Sequence, residues 1–147
     1  MFQILFPSDE KLIRRLLAAV AEIASIKPTD NALVKLGGAN KLAEFFTADV
    51  VISLDASTFR HRSIRGREEL VELAAAARAN LSEATIKLHD IGVVVSADRQ
   101  SATAQLTALA TFDGSTDPLL QLLKLRLKRV AGEWKIFEVD TLKTPGL

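Results

Sequence analysis

The 147-residue chain has no cysteine and no tyrosine, one tryptophan, one methionine and two histidines. Without a thiol, disulfide frameworks, thiolate metal sites and cysteine nucleophiles are excluded. Without a phenol, no tyrosine can serve as a proton or oxyanion donor. An excess of one charge is missing too. Nineteen basic residues stand against 18 acidic ones, a net charge of +1, which argues against wholesale nucleic-acid binding. No apolar run approaches the roughly 18 residues of a membrane span. Phe2–Phe6, ended by Pro7, lacks the charged start, long apolar core and cleavage site of a signal peptide. The compartment stays open: the expectation is a soluble, cytoplasmic protein unless an export or anchor segment precedes Met1 in the natural chain. What the chain does have is 48% hydrophobic and 25% charged residues. That composition suits one domain over residues 1–147, burying roughly 70% of its unfolded surface.

Ser8-Asp9-Glu10 reads as a helix N-cap with acids in the first turn. Leu12, Ile13, Leu16, Leu17, Val20, Ile23 and Ala24 then recur at helical spacing until Pro28. Asp30 to Leu36 suggests one or two further turns, Gly37-Gly38 a break, and Asn40 to Phe46 another short helix. Asp49 to Asp55 is β-branched and strand-like, and Ser57 to Ile64 suits a loop or a sheet edge. Gly66 opens a further helix that buries Leu70, Leu73, Ala74, Ala77 and Leu81. Thr85 to Ser96, Ser101 to Asp113, Leu119 to Val130 and Trp134 to Leu142 are four strands joined by short turns, hence an antiparallel meander. Helices first and sheet after is an α+β order.

Period-2 reading puts Ala102, Ala104, Leu106, Ala108 and Ala110 on one wall, with Gln121, Leu123, Leu125 and Leu127, then Trp134 and Ile136. The same parity carried onward places Glu138 and Asp140 on this inner wall, and Phe137, Val139 and Thr141 outside. Leu109, Leu120, Leu122, Phe137 and Val139 would then make the outer face partly apolar, which suggests self-association through it. Between Leu88 and Ile91 the alternation slips, so a bulge is expected near His89-Asp90, bending the sheet into a cone wall.

With these pieces in place, the chain resembles the nuclear transport factor 2-like superfamily, which includes ketosteroid isomerases and SnoaL-type cyclases. The likeness rests on the long opening helix, Lys41–Asp55 (KLAEFFTADVVISLD), Ile64–Leu70 (IRGREEL) and Gly132–Val139 (GEWKIFEV). It implies a cystatin-like cone: a curved antiparallel sheet wrapped by three helices from the N-terminal half. It also implies an apolar interior and a homodimer through the outer sheet face. These motifs specify the fold better than the activity.

Asp55 ends its strand where isomerase-like relatives carry a general base, and it reads more simply as a strand-end carboxylate capping the next loop. The isomerase apparatus is incomplete, since it needs oxyanion donors such as tyrosine and a protonated acid. His61 and His89 are candidate acids or orienting groups, or else a loop residue and a sheet-surface residue. Their spacing gives no metal signal, so no metal is expected. Arg60, Arg62, Arg65 and Arg67 form a basic knot that would suit an anionic ligand or would pair with Glu68, Glu69 and Glu72. Gln121 and Asp140 on the inner wall need partners or a ligand, and the Trp134 indole needs an acceptor. No phosphate loop, nucleophile elbow or carboxylate pair is present, so no cofactor is expected. The sequence thus points to a small-ligand-binding or association module without catalysis, with a small apolar or anionic ligand held by Asp55, Arg62, Gln121, Trp134 and Asp140. The alternative is an enzyme acting on a small apolar carbonyl compound with Asp55 as general base.

Overall fold

Side-chain caps start the first two helices. The Ser8 hydroxyl accepts the Lys11 N–H at 3.2 Å and opens α1, Asp9–Ala24; Asn31 does the same for Val34 at 2.9 Å and opens α2, Ala32–Ala43. The computed structural model describes residues 8–56, 59–113 and 118–142, with the side chains of 54–62 outside that description. The remaining elements are β1 (Phe46–Ala56), β2 (Phe59–Arg65), α3 (Arg67–Asn80), β3 (Ala84–Val95), β4 (Ser101–Phe112), β5 (Leu119–Val130) and β6 (Glu133–Leu142). Gly66, at φ 88, makes the left-handed turn between β2 and α3 that a side chain would resist.

Gly37-Gly38 does not break the chain: α2 runs straight through it. The reason is Arg78 on α3, a buried side chain 6% exposed. Its Nε donates to the Lys35 carbonyl at 2.9 Å and its Nη1 to the Ile23 carbonyl at 2.8 Å, so one guanidinium fastens α3 to both other helices. A Cβ at Gly38 would stand 2.4 Å from Nη2 of that group. Glycine here makes room for an arginine, and its cost in helix propensity is offset by that bolt.

One six-stranded sheet has the order β2-β1-β6-β5-β4-β3. The meander β3 to β6 is antiparallel, β1 and β2 form an antiparallel hairpin, and β1 joins β6 in a parallel pair. The 57–64 segment, where described, is the edge strand rather than a loop. The expected bulge lies between His89 and Gly92, with Asp90 at φ 53.

A second bulge was not legible. The register of β5 with β6 shifts after Leu127, which faces Ile136, so that Arg126 faces Glu138 and Leu125 faces Val139. Phe137 is the extra residue. Every later side chain changes face, because the strand period is two. Val139 therefore belongs to the core at 7% exposure, not to the outer face.

The core lies between the concave side of the sheet and α1. Ile13 and Leu17 from α1 meet Ala104, Leu106, Leu125, Leu127, Trp134 and Ile136. Close to α1's end, Ile26 pairs with Ala84 and the Ser25 hydroxyl accepts the Ile86 N–H at 3.0 Å, which covers part of the β3 edge.

Candidate functional site

The inner wall is not sealed evenly. Where β4 begins and β5 ends, Ala102, Ala104, Leu127 and Ile136 are 0–5% exposed. Towards the other end the same wall opens: Ala108, Ala110, Gln121, Leu123 and Thr141 are only partly buried, and Leu119 is 39% exposed. The described inner wall is thus buried at one end and partly exposed at the other.

The buried end carries an ionic plug. Asp9, 8% exposed at the start of α1, accepts from the Arg129 guanidinium and from the Trp134 indole N–H at 3.3 Å, and Arg99 lies 3.2 Å from its other oxygen. The Arg129 guanidinium stacks 4.7 Å from the Trp134 ring centre. It also donates to the carbonyls of Arg99 and Gly132, at 2.9 and 3.2 Å, tying two hairpin turns to the helix. In the β3–β4 turn, the exposed Asp98 carboxyl is held below its ordinary value by the Ser96 hydroxyl at 2.5 Å and the Gln100 N–H at 3.0 Å. Asp9 read in sequence only as a first-turn acid. The sole hint of its role was the acceptor that a buried Trp134 requires.

The residues singled out from sequence do not converge. Trp134, 6% exposed, lies in the plug with its N–H already satisfied. Gln121 lies at the open end, facing Ala108 across the strands. Asp140 is corrected: the bulge at Phe137 puts it beside Lys124 on the outer face, not on the inner wall. His89 is exposed and faces Thr107, on the outer face. The backbone register carries Asp55 past the Ser53–Asp140 pair, to the end where Gln121 lies, while the side chains of Asp55, His61 and Arg62 fall outside the described residues. Of the basic knot, Arg67 donates to the Phe46 carbonyl and the Arg65 N–H is taken by Glu69 at 3.3 Å. Among the described residues no group of three His, Asp or Glu is gathered to hold a metal ion, and no helix is long and apolar enough to cross a membrane.

The outer face carries Val94 at 73% exposure and Leu120 at 50%, with Leu109, Leu122 and Phe137 half-buried. Lys124, Arg126 and Lys128 run along β5 beside Glu138 and Asp140 of β6, and Lys128 lies 5.3 Å from the Phe137 ring centre. Val94, Thr103, Arg126 and Phe137 line a hollow of about 350 Å³ there.

The SnoaL-like domain family matches residues 15–140 of the chain. A search of curated proteins returned no match. Among solved structures, an NTF2-like protein with a cystatin-like fold from Novosphingobium aromaticivorans is 18% identical, with TM-score 0.73 over 95% of this chain and 84% of its own. A cystatin-like protein of unknown function from Nostoc punctiforme is 13% identical, with TM-score 0.69 over 97% and 96%. A candidate dehydratase of the NTF2-like family from Streptomyces avermitilis is 15% identical, with TM-score 0.66 over 92% and 98%. At such identities the likeness is one of fold.

Proposed function

The chain belongs to the SnoaL-like domain family, with its nuclear transport factor 2-like cone, and from that membership we propose that it binds a small apolar ligand at the open end without transforming it. The observation that carries this reading is the gradient along the inner wall, from the sealed Ala104–Ile136 end to the solvent-reaching Ala108, Gln121 and Leu123. Largely aliphatic walls with one or two convergent polar groups are the usual make-up of a small-molecule site. The described lining sets the Gln121 amide among the aliphatic side chains of Ala108, Ala110 and Leu123. Titrating 2-methoxynaphthalene into nitrogen-15-labelled protein tests it. The amides of Ala108, Ala110, Gln121 and Leu123 should shift while those of Arg99, Arg129 and Trp134 stay in place, and Ala108→Phe should abolish the effect. Shifts confined to the outer face, or an Ala108→Phe variant that binds as well as the parent, would refute the reading.

The outer face suits a second copy of the chain. Its apolar Val94 and Leu120 lie near a cationic row on β5 and an acidic row on β6. A two-fold axis through that face lets each row of one protomer oppose the other row of its partner.

A further inference from the structure

The helix α2 turns its large apolar side chains outward. Leu33 is 79% exposed and Val34 and Leu36 are half exposed, while the helix buries only Ala39 and Ala43. A surface helix ordinarily does the reverse, with apolar residues on the core and charges in water. Between Asn31 and Asn40 the one charged residue is Lys35, and its ammonium donates to the Leu81 carbonyl at 2.9 Å. Between Leu73 and Ser82 the one charged residue is the buried Arg78. Beside the exposed leucines, α2 and α3 frame a hollow of about 460 Å³ lined by Ala32, Lys35, Leu36, Ala75, Ala76 and Ala79. Gly37, exposed one turn after Leu33, has nothing within 4 Å of where a Cβ would stand. Gly38 makes room for Arg78, but among the described residues nothing calls for Gly37, although only proline is a poorer helix former.

We propose that this helical face is a contact between two copies of the chain, in which Leu33 of each copy enters the alanine-lined hollow of the other. One patch holds both the knob and the hole, and a two-fold contact needs that, because it joins a surface to itself. Identical copies also bring identical charges together, so a face used this way must carry little charge. Here the one cation, Lys35, is turned back onto its own chain. The alanines and Gly37 let the helices of the two copies come close. A lipid surface fits less well, since it favours an apolar face flanked by outward lysines and arginines over a hollow. The contact is small beside the roughly 800 Å² per partner of a standard interface, so it forms at high protein concentration. It leaves the outer sheet face free and is independent of the ligand and of the pairing proposed above.

Sedimentation equilibrium of the full chain from about 10 μM to about 1 mM tests it, in the Leu120→Lys background that removes the outer-face contact. A monomer–dimer equilibrium is expected there. Leu33→Glu should weaken it at least about tenfold without lowering Tm, because it sends a carboxylate into an apolar hollow and disturbs little of its own chain. Ala76→Phe, which fills the hollow, should weaken it as well. On the unsubstituted chain, a mixture of carbon-13-labelled and unlabelled copies should show nuclear Overhauser effects from Leu33 methyls to the alanine methyls of the other copy's hollow. A Leu120→Lys protein that stays monomeric over the whole range overturns the proposal, as does an equilibrium indifferent to both Leu33→Glu and Ala76→Phe. A monomer that pellets with phosphatidylglycerol vesicles until Leu33→Glu releases it also overturns it, and assigns the face to lipid.

Discussion

Asp9→Ala should be among the most damaging single changes to the plugged end. The carboxylate is 8% exposed and serves Arg129, the Trp134 indole and Arg99 together. Removing one member of a fully buried ion pair costs about 3–5 kcal/mol, and orphaning a buried N–H about 1–3 kcal/mol. Here the Arg129 side chain is 24% exposed and Arg99 69% exposed, so water recovers much of the lost solvation. A net loss of about 2–3 kcal/mol follows, a fall in Tm of roughly 4–12 °C for a chain of this size. The single tryptophan, Trp134, reports the transition directly, so urea unfolding followed by its fluorescence measures the loss, with circular dichroism as a second probe. Asp9→Asn keeps an acceptor for the indole and should lose less. A double-mutant cycle with Arg129→Met should return a coupling of about 1–2 kcal/mol. An Asp9→Ala loss under about 0.5 kcal/mol, or strict additivity with Arg129→Met, would show that the cluster does not fasten this end of the fold.

Gly38→Ala should destabilise the parent protein despite a helix-propensity gain of about 1 kcal/mol, because the new Cβ meets the pinned Arg78 guanidinium. In an Arg78→Ala background the same change should become stabilising. Chemical denaturation of all four variants checks that reversal of sign, and Gly38→Ala stabilising both backgrounds would overturn the account. Leu120→Lys should halve the mass measured by light scattering without lowering Tm, since Leu120 is half exposed and faces away from the core. A parent protein that stays monomeric across a wide concentration range would remove the outer-face dimer.

What local pattern dictates was legible in advance. Ser8 capping α1, Pro28 beyond its end, the four meander strands and the slip at His89-Asp90 all came from periodicities and turn residues within a few positions of one another. The faces of β3, β4 and β5 followed from alternation. The same rule failed on β6, where nothing in Trp134–Leu142 marks Phe137 as an extra residue. That bulge becomes visible only in the pairing with β5, and with it Asp140 leaves the inner wall and Val139 enters the core. Gly37-Gly38 misled for a related reason, because the group that needs the space, Arg78, is forty residues away.

By itself, then, the order of amino acids determined the α+β class, the Ser8 cap, the curved meander and most of the aliphatic lining, because each depends on short-range pattern. Tertiary structure alone decided that Asp9 is a buried fastening and that Arg78 bolts three helices. Those are meetings of groups 43 to 125 positions apart. No local pattern encodes them, since they exist only once packing has brought distant backbone and side chains within hydrogen-bond reach.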